Sequence, residues 1–158
     1  IFHLEQITGQ FDYVLAEAIL TMQSDAGKAK ILAGIRDRLK PGGQFLSHEL
    51  RVEGGHTDTI HRDLPTTIRV NAVPLPAEGW IAACQQVDLT VENHDAGPMS
   101  LLNPSRIAQE EGVTTLITIG WNMLTRPVLR QRILAMRETF VRHGSDLGYV
   151  VLTAKNRG

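Results

Sequence analysis

Two adjacent residues, His48 and Glu49, have side chains that can act as a general base. They lie near the end of residues 44–50, which the sequence predicts to be a strand. Histidine titrates near neutral pH and is suited to taking a proton from a substrate. Because successive side chains of a strand point to opposite faces of the sheet, we expect at most one of the two in a site. The alternative is a polar strand end that faces solvent.

The other reactive side chains form no site by their spacing. The polar segment 51–73 is long for a connection, so we expect a functional or mobile loop. It contains four potential metal ligands, namely His56, Asp58, His61 and Asp63. No fixed ligand spacing supports a metal centre there, and we predict none. Cys84 falls on the apolar stripe of a predicted helix, so we expect it in the core rather than as a nucleophile.

Residues 11–50 read strand, helix, strand. Residues 11–16 are a continuous apolar run, as expected of a parallel strand that is covered on both faces. Ser24 can cap a helix that continues to about Leu39. Its apolar stripe includes Ile31, Leu32 and Ile35, and three charged residues lie off that stripe, namely Lys28, Arg36 and Asp37.

The sequence Lys40-Pro41-Gly42-Gly43 is predicted to end this helix and to turn into the strand at 44–50. Proline cannot continue a helix, and glycine permits a tight reversal. A helical crossover of this length favours a right-handed parallel unit.

The rest of the chain is predicted to alternate between helices and two strands. A helix from Pro76 to about Gln86 precedes a strand at 87–94, and a strand at 148–154 ends the pattern. Between the strands, Asn103-Pro104 opens a helix that Gly112 ends, and we favour a second helix at 113–124. A third helix runs from Pro127 to about His143. Its expected buried residues are Val128, Leu129, Ile133, Met136 and Phe140.

Two of these pieces, in order, resemble class I S-adenosylmethionine-dependent methyltransferases. Phe11-Asp12-Tyr13-Val14 resembles the fourth strand of that family's sheet. Residues 35–45 (IRDRLKPGGQF) resemble the helix and Leu-Lys-Pro-Gly-Gly turn before the fifth strand. The later strands match the family's last two in order only. The resemblance implies an α/β fold: the C-terminal half of a doubly wound, Rossmann-like sheet with an antiparallel terminal hairpin. It also implies one partial domain, 1–158, with a helical insertion at about 103–143.

The same resemblance implies S-adenosylmethionine as cofactor and assigns candidate residues to it. Ala16, Glu17 and Ala18 follow the first strand, where backbone in the family passes the methionine part of the cofactor. Glu17 is a candidate contact for a cofactor amine or a substrate. Trp121 and Asn122 lie in the insertion, which family members often use as a substrate lid. For Trp121 we favour the alternative, packing in the core.

The family's glycine-rich loop and its ribose-binding acidic residue do not occur in this sequence. We therefore expect a fragment that holds the substrate half of a site and binds cofactor weakly or undetectably. The strand at 11–16 would then lack one neighbour, and its flat apolar edge has no lysine, proline or inward charge to protect it. We expect it to be covered by a second copy in a homodimer or by the missing N-terminal half.

Composition limits the partners. The 158 residues suit one domain, and the formal net charge of −1 gives no electrostatic case for binding nucleic acid or an anionic membrane. One cysteine, no signal peptide and no run of 18 apolar residues make a cytoplasmic protein the default expectation.

Three functions stay open. The leading hypothesis is methyl transfer from S-adenosylmethionine to a small-molecule acceptor. The second is a non-catalytic half-domain that serves assembly or regulation. The third is another doubly wound enzyme, such as a nicotinamide-dependent dehydrogenase, which the Lys-Pro-Gly-Gly turn followed by a terminal hairpin disfavours.

Overall fold

A four-stranded sheet forms the centre of the molecule in the computed structural model, which describes residues 4–98 and 113–158. Its strands are β1 (Phe11–Glu17), β2 (Leu39–Val52), β3 (Leu89–Pro98) and β4 (Leu147–Asn156). Their order in the sheet is β1-β2-β4-β3. β1 is parallel to β2, whereas β4 is antiparallel to both β2 and β3. The predicted fold, with a parallel first pair and an antiparallel terminal pair, is confirmed.

Five described helices and one short 3-10 helix, Leu4–Gln6, surround or extend this sheet. The helices are α1 (Asp25–Arg38), α2 (Thr57–Ile68), α3 (Ala77–Gln85), α4 (Val113–Thr125) and α5 (Pro127–Arg142). α4 and α5 precede β4, as expected of the helical insertion. The predicted helix between Asn103-Pro104 and Gly112 lies outside the described residues.

α1 begins and ends as its sequence requires. The Ser24 hydroxyl accepts a hydrogen bond from the backbone amide of Gly27 at 3.3 Å, the N-cap interaction predicted from the sequence. At the other end, the Asn156 side-chain amide donates to the carbonyl oxygens of Arg36 (3.3 Å) and Leu39 (3.0 Å). The Arg36 carbonyl also accepts from the Leu39 backbone amide, so the bonds from Asn156 add to the helix cap and attach the end of α1 to β4.

One face of the sheet is covered. Phe45 of β2 and Ala154 of β4 pack in a core with Leu32 of α1 and with Trp80 and Cys84 of α3. A smaller apolar cluster, which includes Val52, Ile60, Leu64 and Leu147, joins α2 to the sheet where β2 ends and β4 begins. Burial of each such side chain stabilises the fold by about 1.5–3 kcal/mol, which makes these clusters the main source of stability.

The other face of the sheet is open in the part of the chain that the structure describes. Tyr13 and Leu15 of β1 are 67% and 72% exposed, and Val151 of β4 is 39% exposed. Alternation along the paired strands places Glu17, His48 and Tyr149 on this same side, which we call the open face. β1 is an edge strand of the described sheet, as expected from the sequence.

The prediction of an irregular loop over 51–73 is wrong, because α2 occupies Thr57–Ile68. Ile60 and Leu64, four residues apart, are fully buried and give the helix an apolar stripe within a polar segment. Pro65 lies inside the helix, where proline is normally unfavourable. Packing of the stripe therefore outweighs the local signals against a helix.

The predicted end of α1 before Lys40 and the positive φ among the glycines are confirmed, but the strand begins earlier than predicted. β2 begins at Leu39 and includes residues 40–43, opposite an irregularity in the pairing between Phe11 and Tyr13. Gly42 has a φ of 79°, and a Cβ on Gly43 would lie 3.0 Å from the carbonyl oxygen of Phe11. The positive φ of Gly42 and the missing side chain of Gly43 thus allow an irregular segment of β2 to pass close to the backbone of β1.

Smaller corrections concern side chains and one strand. Lys28 is buried rather than on the outer side of α1, because its ammonium group has partners inside the fold. Val128 of α5 was expected in the core but is exposed. The other four residues that were expected to be buried on this helix are only half-buried. The strand predicted at 87–94 is Leu89–Pro98, since its pairing with β4 continues to Gly148.

Candidate functional site

The carboxyl ends of β1 and β2 lie side by side and bring the predicted cofactor segment next to the predicted base. Glu17 pairs with His48 in the parallel register. The amide of Ala18 then donates a hydrogen bond to the carbonyl oxygen of His48 at 2.8 Å. Ala18 has a φ of 53°, the left-handed conformation, so the chain turns sharply at this point. Ala16 is buried and Ala18 half-buried, which leaves little side-chain bulk at this edge.

The His48 side chain points to the open face and is 49% exposed. Its Nδ1 atom lies 3.7 Å from Glu17 Oε1, an ion-pair distance when the imidazole is protonated. The ring of Tyr149 approaches edge to face, with centroids 5.8 Å apart and planes at 72°. The imidazole is therefore held between a carboxylate and an aromatic ring while it stays accessible to a small molecule.

The Glu49 side chain points the opposite way and is buried, with the residue only 2% exposed. Its Oε1 accepts hydrogen bonds from the Leu20 amide (3.1 Å) and the Ser47 hydroxyl (3.4 Å). Its Oε2 accepts from the Thr21 amide (2.8 Å) and the Thr21 hydroxyl (2.6 Å). The expected separation of His48 and Glu49 onto opposite faces is confirmed, and both oxygens of Glu49 already bind donors.

Trp121 and Asn122 lie on α4, which packs against α5. The expectation that Trp121 packs in the core is wrong, because the residue is 68% exposed. Asn122 is half-buried, and its carbonyl oxygen accepts from the Arg126 amide at 2.9 Å. Their contact with a substrate stays a prediction.

Three of the four potential metal ligands of segment 51–73 make other contacts, namely His56, His61 and Asp63. His56 Nδ1 lies 2.8 Å from Asp146 Oδ2, and His61 Nε2 lies 2.8 Å from the carbonyl oxygen of Pro74. Asp63 Oδ2 lies 3.2 Å from Nε2 of the buried His143, which ties α2 to the end of α5. Within residues 4–98 and 113–158, no three His, Cys, Asp or Glu side chains are grouped to hold a metal ion.

Two side chains, Asp63 of α2 and Cys84 of α3, have shifted pKa values. The pKa of Asp63 is lowered, chiefly by a hydrogen bond from Arg62. Partial desolvation acts in the opposite direction and raises the pKa, whereas the hydrogen bond from His143 lowers it further. Burial raises the pKa of the Cys84 thiol to about 12. A thiol that stays protonated is a poor nucleophile, which agrees with a core position.

Sequence reasoning missed Tyr149 and Thr21. Tyr149 reaches His48 only because β4 lies beside β2, and Thr21 reaches Glu49 across 28 residues of sequence. Alternation along the strand at 148–154 was the one available signal for Tyr149.

No helix among the described residues has the length and apolar character needed to cross a membrane.

Comparison with known sequences gives one relative and no family model that matches the chain. An uncharacterized protein of Haemophilus influenzae is 31% identical over 130 residues, which cover 82% of this chain and 51% of the relative. The chain thus spans about half the length of the curated relative that it matches.

Solved structures with similar folds are more informative. A protein of Galdieria sulphuraria assigned as a sarcosine dimethylglycine methyltransferase superimposes with a TM-score of 0.74 at 16% identity, over 99% of this chain and 57% of that one. Phosphoethanolamine N-methyltransferase 2 of Haemonchus contortus, solved with S-adenosyl-L-methionine, gives 0.63 at 15% identity, over 94% and 34%. The chain has the class I methyltransferase fold. The [4+2]-cyclase SpnF shares this fold, with a TM-score of 0.63 at 19% identity over 98% of this chain and 52% of that one.

Proposed function

We propose that the protein transfers the methyl group of S-adenosylmethionine to a small-molecule acceptor. The observation that carries this proposal is the junction of the ends of β1 and β2, where Ala18 is hydrogen-bonded to His48 beside an accessible imidazole. Ligands of open α/β sheets bind just beyond the carboxyl ends of the strands, and the class I methyltransferase fold agrees with this location.

The residues at the end of β1 fit one side of the cofactor. Ala16 and Ala18 leave room for a ligand to approach the backbone, and the Glu17 carboxylate is largely exposed at the same edge. We assign Glu17 to the amine of the methionine part, since a carboxylate accepts hydrogen bonds from an ammonium group. When bound, S-adenosylmethionine would supply an electrophilic sulfonium methyl group: the acceptor atom bonds to the methyl carbon as the carbon–sulfur bond breaks, and S-adenosylhomocysteine leaves with the electron pair.

His48 is the proposed general base. It accepts the proton of the acceptor through its exposed imidazole, and the neighbouring Glu17 carboxylate stabilises the imidazolium that results. Methyl transfer also requires an in-line approach of acceptor and methyl group, so positioning supplies much of the rate. Trp121 and Asn122 are the proposed lid contacts, and the exposure of the Trp121 ring supports its use in binding an acceptor.

The open face and the outer edge of β1 would then be covered by a second copy in a homodimer or by further chain of the same methyltransferase fold. Tyr13 and Leu15 present apolar side chains there, and a sheet edge with unpaired amides and carbonyls tends to pair. The chain covers only 57% of the Galdieria structure and 51% of the Haemophilus relative, so proteins of this kind contain the additional length.

Calorimetry and a methyl-transfer assay on the complete gene product test the proposal. S-adenosylmethionine and S-adenosylhomocysteine are titrated first, and then small amine, hydroxyl and carboxylate acceptors are screened for a mass gain of one methyl group. His48→Gln should lower kcat by about 10²–10⁴-fold and leave the cofactor Kd unchanged. The exposed His94→Gln on β3 is the matched control and should keep full activity.

The outcomes separate the candidate functions. Failure to bind either cofactor form excludes methyl transfer and supports a non-catalytic module. Cofactor binding without any methylated product favours a reaction of another kind, because the cyclase SpnF shares the fold.

A further inference from the structure

The loop 18–24, which joins β1 to α1, is attached to β2 by a buried carboxylate. We infer that Glu49 is a positioning residue that holds this loop at the cofactor edge, rather than a base. The inference rests on the proposed function, because it assigns the loop to the wall of the cofactor site.

The hydrogen bonds of Glu49 define this role. Three of the four donors to its carboxylate come from the loop: the amides of Leu20 and Thr21 and the hydroxyl of Thr21. Since a carboxylate has no proton to donate, it can receive bonds at both oxygens at once. Buried backbone amides need such partners, and Glu49 supplies them to Leu20 and Thr21 from a distant part of the sequence.

Thr21 links the carboxylate to the rest of the sheet. Its hydroxyl donates to Glu49 and accepts from the Leu50 amide at 3.1 Å, so the same atom bridges two positions of β2. Its carbonyl oxygen accepts from the Val73 amide at 2.8 Å. The loop is thereby fixed to β2 on one side and to the segment before α3 on the other.

The loop is attached at a second point that faces the site. The Ala18 amide binds the carbonyl oxygen of His48, the residue next to Glu49. His48 and Glu49 therefore hold the same loop from adjacent positions, one beside the open face and one inside the core. If the inner attachment fails, the Ala18 backbone shifts relative to the imidazole, and the wall for the cofactor is no longer preformed.

Glu49→Gln in the complete protein tests the role. Glutamine keeps the shape and one acceptor oxygen but places an NH₂ donor against the donors of the loop. We expect the cofactor Kd to rise about tenfold, the change expected from loss of one hydrogen bond to a charged group. Glu92→Gln, an exposed residue of β3, is the matched control and should leave the Kd unchanged.

The partner variant Thr21→Val removes the bridging hydroxyl and keeps the side-chain shape. If both residues act through one network, the double variant Thr21→Val/Glu49→Gln should raise the Kd by less than the product of the two single effects. When Glu49→Gln fails to fold, the single variant Thr21→Val carries the test: a tenfold rise in its Kd supports the inference, and a wild-type Kd overturns it.

A pH profile separates a positioning residue from a base. In Glu49→Gln the acidic limb of kcat should keep its midpoint, since His48 remains as the base. Loss of that limb would overturn the inference and make Glu49 the base. A folded Glu49→Gln variant with wild-type Kd would overturn it as well.

Hydrogen exchange gives a result that is independent of the cofactor. The amides of Leu20 and Thr21 should exchange faster in Glu49→Gln than in wild type, and Glu92→Gln should not change them. If the wild-type protein binds no cofactor, the proposed function fails while this comparison still decides whether Glu49 holds the loop. Unchanged exchange in a folded variant would overturn the inference.

Discussion

The ammonium nitrogen of Lys28 lies 5.8 Å from the centroid of the Trp80 ring. It also donates to the carbonyl oxygen of Gln23 at 2.9 Å and to the carboxylate of Asp25 at 3.0 Å. The Lys28 residue is 2% exposed, so a charge from α1 is buried against the aromatic ring of α3. These partners offset the cost of removing the ammonium group from water, and the contact joins two helices that cover the same face of the sheet.

Lys28→Met should therefore destabilise the protein. Methionine fills the space of the lysine stem, but it leaves the Gln23 carbonyl without its donor and removes the cation from the Trp80 ring. We expect the free energy of unfolding to fall by about 2 kcal/mol in urea denaturation. Lys30→Met, exposed on the same helix, is the control and should change it by less than about 0.5 kcal/mol. Equal effects of the two substitutions would contradict the role of the buried contact.

Cys84 should be unreactive in the folded protein. Its pKa of about 12 lies above the ordinary value of 9.0, so the thiol is protonated over the usual working range. Alkylation at pH 8.5, followed by mass spectrometry, should be at least about 100-fold slower in buffer than in denaturing urea, since the thiolate is the nucleophile. The sequence has one cysteine, so the assay reports Cys84 alone. Similar rates in both conditions would show that the thiol is accessible.

The same shift predicts a loss of stability at high pH. The pKa of Cys84 is higher in the folded state than in the unfolded state, so the thiol contributes its full stabilisation below about pH 9. This contribution to the free energy of unfolding decreases as the pH rises from 9 toward 12. Cys84→Ser removes this dependence, although the buried hydroxyl lowers stability at every pH. The melting temperature of wild type should thus approach that of the variant between pH 9 and pH 11.

Local signals in the sequence predict the first strand and the first helix of the fold well. Ser24 caps α1, and the apolar run at 11–16 becomes β1, because these features depend on neighbours along the chain. They fail for α2, where Ile60 and Leu64 make a short apolar stripe among polar residues and a proline. Only the cluster that receives this stripe, at the ends of β2 and β4, makes the helix stable.

In the candidate site, too, the sequence predicts local features but not the contacts between distant parts of the chain. Alternation predicts that His48 and Glu49 separate, but which of them is buried depends on the helices that cover one face of the sheet. The partners of Glu49 and Lys28 come from distant parts of the chain, namely Thr21 and Trp80. The exposure of Trp121 likewise depends on how α4 is placed, since an apolar stripe on a helix does not say what covers it.

Asp63→Asn should alter how stability depends on pH. The hydrogen bond from Arg62 lowers the pKa of Asp63 below 3.8, so its contribution is present above about pH 4 and is lost as the pH falls through the lowered value. Wild type should melt at a higher temperature than the variant at pH 7, and the difference should shrink between pH 4 and pH 2. Asp95→Asn, exposed on β3, is the control and should give a smaller difference. A gap that widens on acidification would contradict the sign of the shift.

Gly97 and Tyr149 form a cross-strand pair in which the glycine makes room for the ring. A Cβ atom on Gly97 would lie 2.8 Å from Tyr149 Cε1 and 2.8 Å from its hydroxyl oxygen. Gly97→Ala should therefore push the ring away and lower the free energy of unfolding by about 1–3 kcal/mol, the usual cost of overpacking. Gly55→Ala is the control, since a Cβ there meets nothing within 4 Å.

A double-variant cycle in urea tests whether the ring is the cause. In a Tyr149→Ala background, Gly97→Ala should cost less than about 0.5 kcal/mol, because the atoms that it meets are gone. The ring also contacts His48, the proposed base, so Gly97→Ala should lower kcat while the cofactor Kd stays constant. An equal cost of Gly97→Ala in both backgrounds would place the strain in the strand backbone instead, and an unchanged kcat would mean that Tyr149 does not orient the imidazole.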